Sequence, residues 1–122
     1  MNFLFVGLGG AVGAMLRYAI GLIPYKGDFP VLTLVTNLLG AFLIGFISGA
    51  AEEKGLSDNL VLFLKTGLCG GFTTFSTFSL ESYKLFRSNH AVLAIIYMAL
   101  SVGLCLAGVF LGMFSAKKIL KL

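Results

Sequence analysis

Two long stretches without a charged residue restrict the fold of this chain more than any other feature. They are residues 31–51 and 91–116, and two further apolar stretches, 3–23 and 60–86, carry charges only toward their ends. A helix of about 20 apolar residues crosses a hydrocarbon core about 30 Å thick. A chain of 122 residues has too little interior to bury four such helices in water. We therefore predict one all-α membrane domain, residues 1–122, with four transmembrane helices near these bounds.

The charged residues are few and scattered, which narrows the classes of function. The net charge is +4, but lysine and arginine are spread over short loops and helix ends. This distribution is typical of contact with lipid headgroups and not of a nucleic-acid-binding face. The single histidine, His90, and the two cysteines, Cys69 and Cys105, cannot assemble a side-chain metal site or a catalytic triad. We expect membrane lipid as a partner, no nucleic acid and no enzymatic activity.

The loops at 24–30, 52–59 and 87–90 are short, and four helices put both termini on one side together with the second loop. The two sides then carry five and four basic residues: Lys54, Lys65, Lys117, Lys118 and Lys121 against Arg17, Lys26, Lys84 and Arg87. Orientation follows the excess of lysine and arginine. We therefore expect the chain to insert both ways round and to pair as an antiparallel, dual-topology homodimer. The alternative is that the three C-terminal lysines hold the tail in the cytoplasm.

Each predicted helix carries two glycines four residues apart. The pairs are Gly9 and Gly13, Gly45 and Gly49, Gly67 and Gly71, and Gly108 and Gly112. Glycine at this spacing lets helix backbones approach closely in lipid. The pattern predicts a tight bundle and by itself indicates no function.

Four polar side chains in the apolar segments are candidate site residues. Asn37 must be hydrogen-bonded at membrane depth, either in a structural bond between helices or facing a wet cavity. Arg17 either reaches the headgroups or forms the electropositive mouth of an anion path. Tyr97 offers one hydroxyl. Glu81 is the carboxylate nearest the bilayer interior, and the alternative to a site role is an ion pair with Lys84 on the same helix face.

Residues 70–81, GGFTTFSTFSLE, contain a dense band of hydroxyl groups in the third helix. Five of the seven residues from Thr73 to Ser79 carry a hydroxyl, with Phe75 and Phe78 between them. Bonding back to a carbonyl one turn earlier explains one or two hydroxyls well, and five less well. The glycine pair before them predicts a mid-membrane break, which would free carbonyls for a hard cation. Hydroxyls, amide hydrogens and the positive edges of the rings suit a small anion.

Three segments in order resemble motifs of the Fluc (CrcB) fluoride channel family. They are GGAVGAMLRY at 9–18, TLVTNLLGAFLIG at 33–45 and GGFTTFSTF at 70–78. Length and helix count are also similar, so the resemblance covers nearly the whole chain. It implies a dual-topology dimer in the cell membrane of a prokaryote, with two antiparallel pores that conduct fluoride, reject chloride and confer fluoride resistance.

The resemblance also implies roles for individual residues. The family's pore phenylalanines fall on Phe75 and Phe78, and its pore asparagine and tyrosine on Asn37 and Tyr97. A hydroxyl track would involve Ser76, Thr77 and Ser79 with Glu81 near its end, and Arg17 matches the first-helix arginine at the vestibule. A structural Na⁺ at the dimer centre would be held by the carbonyls of Gly70 and Thr73 from each subunit.

Physical chemistry supports a passive path for a small hard anion, and the resemblance to the family identifies that anion as fluoride. A path must replace the hydration shell by several weak donors and still release the ion. One rival is a dual-topology, proton-coupled multidrug exporter with four helices, but the first helix lacks an acidic residue and the chain has no tryptophan. A structural subunit of a larger membrane complex would explain the glycines and not the hydroxyl band.

Overall fold

The computed structural model describes residues 2–121, which form helices joined by short connections. α1 is Asn2–Gly21, α2 is Val31–Lys54 and the last helix, α5, is Ala91–Leu120. Between α2 and α5 lie α3, residues 58–72, and α4, Phe75–Arg87. Together α3 and α4 make the third of four spans that are long and apolar enough to cross a membrane. The predicted all-helical architecture with four such spans is confirmed.

The second and fourth spans extend three to four residues beyond their predicted C-terminal ends. Two ion pairs join these extensions: Lys117 Nζ lies 2.9 Å from Glu52 Oε2, and Lys121 Nζ lies 3.9 Å from Glu53 Oε1. Gly55 then ends α2 in the left-handed conformation, at φ 63°, and its N–H donates to the Ala51 carbonyl. Glycine adopts this conformation without a steric penalty. The second loop therefore lies beside the C-terminal end of α5, as four consecutive spans require.

The bundle consists of two closely packed helix pairs, α1 with α3 and α2 with α5. A Cβ atom on Gly13 would overlap the backbone of α3 at Leu68, and one on Gly71 would overlap α1 at Gly10. In the other pair, a Cβ on Gly45 or Gly112 would overlap the facing backbone in the same way. The glycine pairs thus confirm the prediction of close helix approach. The spacing alone did not say which helices they join.

The third span has an irregular middle. Its segment Leu62–Cys69 is π-helical, and it leads into a last helical turn, Gly70–Phe72. Thr73 and Thr74 are extended, with ψ of 157° and 123°, and helical geometry resumes at Phe75. The span is therefore interrupted, although at a different position from the one the sequence predicts.

The predicted break at Gly70 and Gly71 is wrong in position, because both glycines are helical. Gly71 instead provides the close contact with α1, where a side chain would not fit. The interruption falls at the two threonines, whose hydroxyls bond to the helical turns on either side of it. Thr73 Oγ1 donates to the Cys69 carbonyl at 2.9 Å, and Thr74 Oγ1 accepts from the Thr77 N–H at 3.1 Å. The second bond is an N-cap for α4.

Candidate anion pathway

Asn37 of α2 fixes the interruption by a pair of hydrogen bonds to one residue. Its Nδ2 donates to the Thr74 carbonyl at 3.1 Å, and its Oδ1 accepts from the Thr74 N–H at 2.9 Å. Backbone groups at an interrupted helix must be satisfied by protein or water when they lie in a membrane. The structural alternative for Asn37 is therefore observed. The second hydrogen on Nδ2 is not used by these bonds, and Asn37 also lines a cavity described below.

The bond from Thr74 to Asn37 leaves the Gly70 carbonyl without its usual helical partner. The carbonyls on either side of it have partners, because Cys69 O keeps its helical bond from the Thr73 N–H and Gly71 O accepts from Arg17 Nε at 3.2 Å. Within residues 2–121, no hydrogen bond reaches the carbonyl oxygen of Gly70 or of Thr73. Neutral carbonyl oxygens without a hydrogen-bond donor are the type of ligand that a hard cation prefers.

Arg17 is half-buried and bonded to the interrupted span, so it does not simply extend to the headgroup region. Its side chain also lines a cavity of 360 Å³ that contains Thr33, Thr77 and Glu81. A guanidinium keeps free donors after one bond is made, because it has five N–H groups. Arg17 thus both holds α1 to the interruption and presents positive charge to this cavity.

Three aromatic rings form a row that runs from the protein surface to its core. The ring centroids of Phe75 and Phe78 lie 5.5 Å apart at an interplanar angle of 44°. Those of Phe78 and Tyr97 lie 5.2 Å apart at 51°. Phe75 is 79% exposed on the described chain, whereas Tyr97 is completely buried. Tilted rings expose hydrogen-bearing edges, which carry partial positive charge.

Glu81 lies at the inner end of this row and accepts two hydroxyl hydrogen bonds. Tyr97 donates to its Oε1 at 3.0 Å, and Thr33 donates to its Oε2 at 3.0 Å. The alternative ion pair between Glu81 and Lys84 is not among the ion pairs of residues 2–121. The structure therefore brings the candidate residues Phe78, Tyr97 and Glu81 into one connected group.

The hydroxyl band divides into two sets with different partners. Ser79 Oγ donates back to the Phe75 carbonyl at 2.9 Å, as the structural alternative predicts. Thr74 Oγ1 contacts Thr77 Oγ1 at 3.2 Å and Ser76 Oγ at 3.3 Å. This hydroxyl cluster lies at the start of α4, beside the row of rings. Of the three candidate track residues, Ser76 and Thr77 belong to the cluster and Ser79 does not.

Thr33 and Ser101 are polar residues of this region that the sequence analysis missed. Thr33 bonds Glu81, and Ser101 is buried with no hydrogen-bond partner for its Oγ among the described residues. Each lies four residues from a candidate on the same helix, Thr33 from Asn37 and Ser101 from Tyr97. Residues four apart share a helix face, so this spacing was a usable signal.

A cavity of 630 Å³ lies open at the surface beside the rings. It is bounded by α2, α3, α4 and α5, and its wall is mainly apolar. The polar side chains among its lining residues are Asn37, Lys65, Thr66, Thr73, Thr74 and Ser101. Phe75 and Phe78 form part of the same wall, so donors and ring edges face one space.

Four helices that are long and apolar enough to cross a membrane, three of which border this ring-lined cleft, define a small multi-pass membrane protein. The chain matches the family model described as CrcB-like protein, Camphor Resistance (CrcB), over residues 4–113. It therefore belongs to the CrcB family, as the three motifs indicated.

Several relatives are similar over almost their whole length. A protein named "Fluoride-specific ion channel FluC" from Ignicoccus hospitalis is 44% identical over 117 residues, covering 95% of each chain. Proteins of the same name are 47% identical in Ruminiclostridium cellulolyticum, over 98% of this chain and 95% of theirs, and 45% identical in Methanococcus maripaludis, over 91% and 92%. The match thus includes all four spans.

Proposed function

We propose that this protein is a fluoride-selective, passive ion channel in the cell membrane of a prokaryote, where it exports fluoride and lowers its toxicity. The observation that carries the proposal is the row of Phe75, Phe78 and Tyr97, which borders a cleft whose polar lining, apart from Lys65, consists of uncharged side chains. The names of relatives that match along the whole chain support fluoride as the ion.

The chemistry of the row suits an ion that holds water strongly. Moving an unpaired small anion into an apolar medium costs on the order of tens of kcal/mol in lost hydration alone. Ring edges of Phe75 and Phe78, the free Nδ2 hydrogen of Asn37 and nearby hydroxyls would each replace part of the hydration shell. None of these donors carries a full charge, so an ion can also leave.

A second copy of the chain would complete each pathway. Phe75 is 79% exposed, and the cleft beside it is open along one side. In a single protomer, an ion beside the exposed Phe75 ring or in the open cleft would therefore remain in contact with water or lipid. We propose an antiparallel homodimer, supported by the near balance of basic residues between the two sides, in which each cleft is closed by the partner and two pores result.

A structural Na⁺ would bind where two interrupted spans meet. The unbonded carbonyls of Gly70 and Thr73 offer two oxygens per protomer, and a two-fold dimer would offer four. A Cβ atom added to Gly70 would meet no atom within 4 Å outside its chain neighbours and its own helix backbone, so this side of the Gly70 backbone is open. The ion would hold the two interruptions together. Replacing sodium by a large organic cation should lower the melting temperature of the dimer, and an unchanged melting temperature would reject this site.

The rival proton-coupled exporter has less support. α1 contains no acidic residue in its described part, and Glu81 is engaged by Tyr97 and Thr33. The relatives named as channels do not favour it either.

Anion efflux from proteoliposomes tests the proposal. Vesicles containing the purified protein are loaded with fluoride and chloride, and both ions are followed with selective electrodes after dilution. We expect rapid fluoride efflux with chloride retained, and no dependence on a proton gradient. Equal efflux of both ions, or efflux that requires a proton gradient, would reject a passive fluoride channel.

A further inference from the structure

Lys65 has a distinctive place in the 630 Å³ cavity. Seventeen residues line this cavity, and Lys65 is the only one of them with a formal charge. No carboxylate of residues 2–121 belongs to the wall. A second cavity, of 420 Å³, contains Lys84 but also Glu81 and Asp28, so its charges oppose each other. The cavity beside the rings therefore has an electropositive wall that depends on one side chain.

Lys65 is also free of the ion pairs that occupy other lysines on the same side of the protein. Lys117 pairs with Glu52 and Lys121 with Glu53, whereas Lys65 is in no ion pair within residues 2–121. Lys65 is exposed on the described part of the chain. An ammonium that lacks a carboxylate partner retains its attraction for a mobile anion.

The position of Lys65 along α3 separates it from the rings. Lys65 lies in the π-helical segment of α3, eight residues before the interruption begins at Thr73. Phe75 and Phe78 follow the interruption, on α4. Because Lys65 is an exposed residue of the cavity wall, its ammonium meets solvent, which is the position from which a hydrated anion enters.

We propose that Lys65 recruits the permeant anion at the mouth of the cavity, a step that rests on the proposed channel function. A single positive charge in a cleft with low-dielectric walls focuses the field and raises the local concentration of anions. The ion would then pass from Lys65 toward Asn37 and the ring edges. In an antiparallel dimer each membrane face would have one such mouth, so efflux would not depend on protein orientation in the vesicle.

Fluoride efflux from proteoliposomes containing Lys65→Gln tests this role. We expect the initial rate to fall about threefold to tenfold at low ionic strength, and the difference to shrink when an impermeant salt is raised, because salt screens the field. Lys65→Arg should keep most of the rate. Lys118→Gln is the matched control, because it changes the net charge by the same amount as Lys65→Gln. Lys118 lies over the Phe114 ring and is not among the residues that line the cavity.

The outcomes separate this inference from the function itself. No fluoride efflux from the unaltered protein would overturn the channel proposal. Normal efflux from the unaltered protein, with Lys65→Gln equal to Lys118→Gln at low ionic strength, would overturn the role of Lys65 alone. A loss in Lys65→Gln that is independent of salt and not restored by Lys65→Arg would also overturn it, because recruitment by charge predicts both effects.

Discussion

Asn37 shows how one side chain can stabilise an irregular backbone and still serve a pathway. Its amide satisfies both polar groups of Thr74, and this frees the Gly70 carbonyl. The sequence left a structural bond and a cavity-facing role as alternatives for Asn37. The observed geometry contains the bond and also puts the residue in the cavity wall, so the two are compatible.

Replacing Asn37 should therefore affect stability as well as flux. Asn37→Ala removes the partner of both the Thr74 N–H and the Thr74 carbonyl, which are partly buried, and each such group costs up to about 1–3 kcal/mol when it is also shielded from water. We expect a lower melting temperature by thermal aggregation assay and little or no fluoride efflux. Asn37→Asp keeps the acceptor for the Thr74 N–H and should be more stable than Asn37→Ala. Equal melting temperatures for Asn37→Ala and the unaltered protein would show that the bonds contribute nothing.

At the scale of the helices, glycine determines which pairs of spans pack together. Gly13 and Gly71 permit the contact between α1 and α3, whereas Gly103 on α5 has open space where a Cβ would lie. Packing must replace the hydrophobic effect in lipid. We therefore expect glycine to be required at position 13 and replaceable at position 103.

The pair Gly13→Ala and Gly103→Ala tests this difference. The first adds a methyl group that overlaps the α3 backbone, so we expect loss of folded protein on size-exclusion chromatography in detergent. The second adds a methyl group in open space and gains about 1 kcal/mol of helix propensity, so the protein should remain folded with normal efflux. Folded, active Gly13→Ala would contradict the close packing of α1 and α3.

The position of the interruption could not be predicted from propensity. Glycine is a poor helix former, which favoured Gly70 and Gly71, but contact with α1 keeps Gly71 helical. The break falls at Thr73 and Thr74 because Asn37, from a different span, supplies replacement bonds. Such long-range partners are not visible in a local pattern. The four spans were predictable because hydrocarbon requires long uncharged segments, whatever their neighbours are.

The candidate site was predictable in two ways, since Arg17, Asn37, Phe75 and Phe78 lie in motifs and Glu81 and Tyr97 are isolated polar side chains in long apolar segments. The structure brings Phe78, Tyr97 and Glu81 together and links Arg17 to the interruption. Thr33 and Ser101 were missed because each is a single small polar residue in an apolar segment. Their importance depends on which face of the helix meets the cleft, and this depends on the packing of α2 against α5.

For the whole molecule, we propose dual topology because the numbers of basic residues on the two sides are nearly equal. A reporter fused to the C-terminus should be found on both faces of the membrane. Lys26→Gln lowers the count on the side opposite the termini, so it should shift the reporter toward the cytoplasm. A reporter confined to one face in the unaltered protein would contradict the antiparallel dimer.

The most direct test of the proposed pathway compares two phenylalanines that differ in position. Phe78 lies between Phe75 and Tyr97, whereas Phe110 is 70% exposed on α5 and does not line the cleft. Fluoride efflux is measured for Phe78→Ile and Phe110→Ile after both are shown to be folded. We predict that Phe78→Ile abolishes or sharply slows efflux, because isoleucine has no positive ring edge, and that Phe110→Ile conducts normally. Normal efflux through folded Phe78→Ile would contradict a fluoride path along these rings.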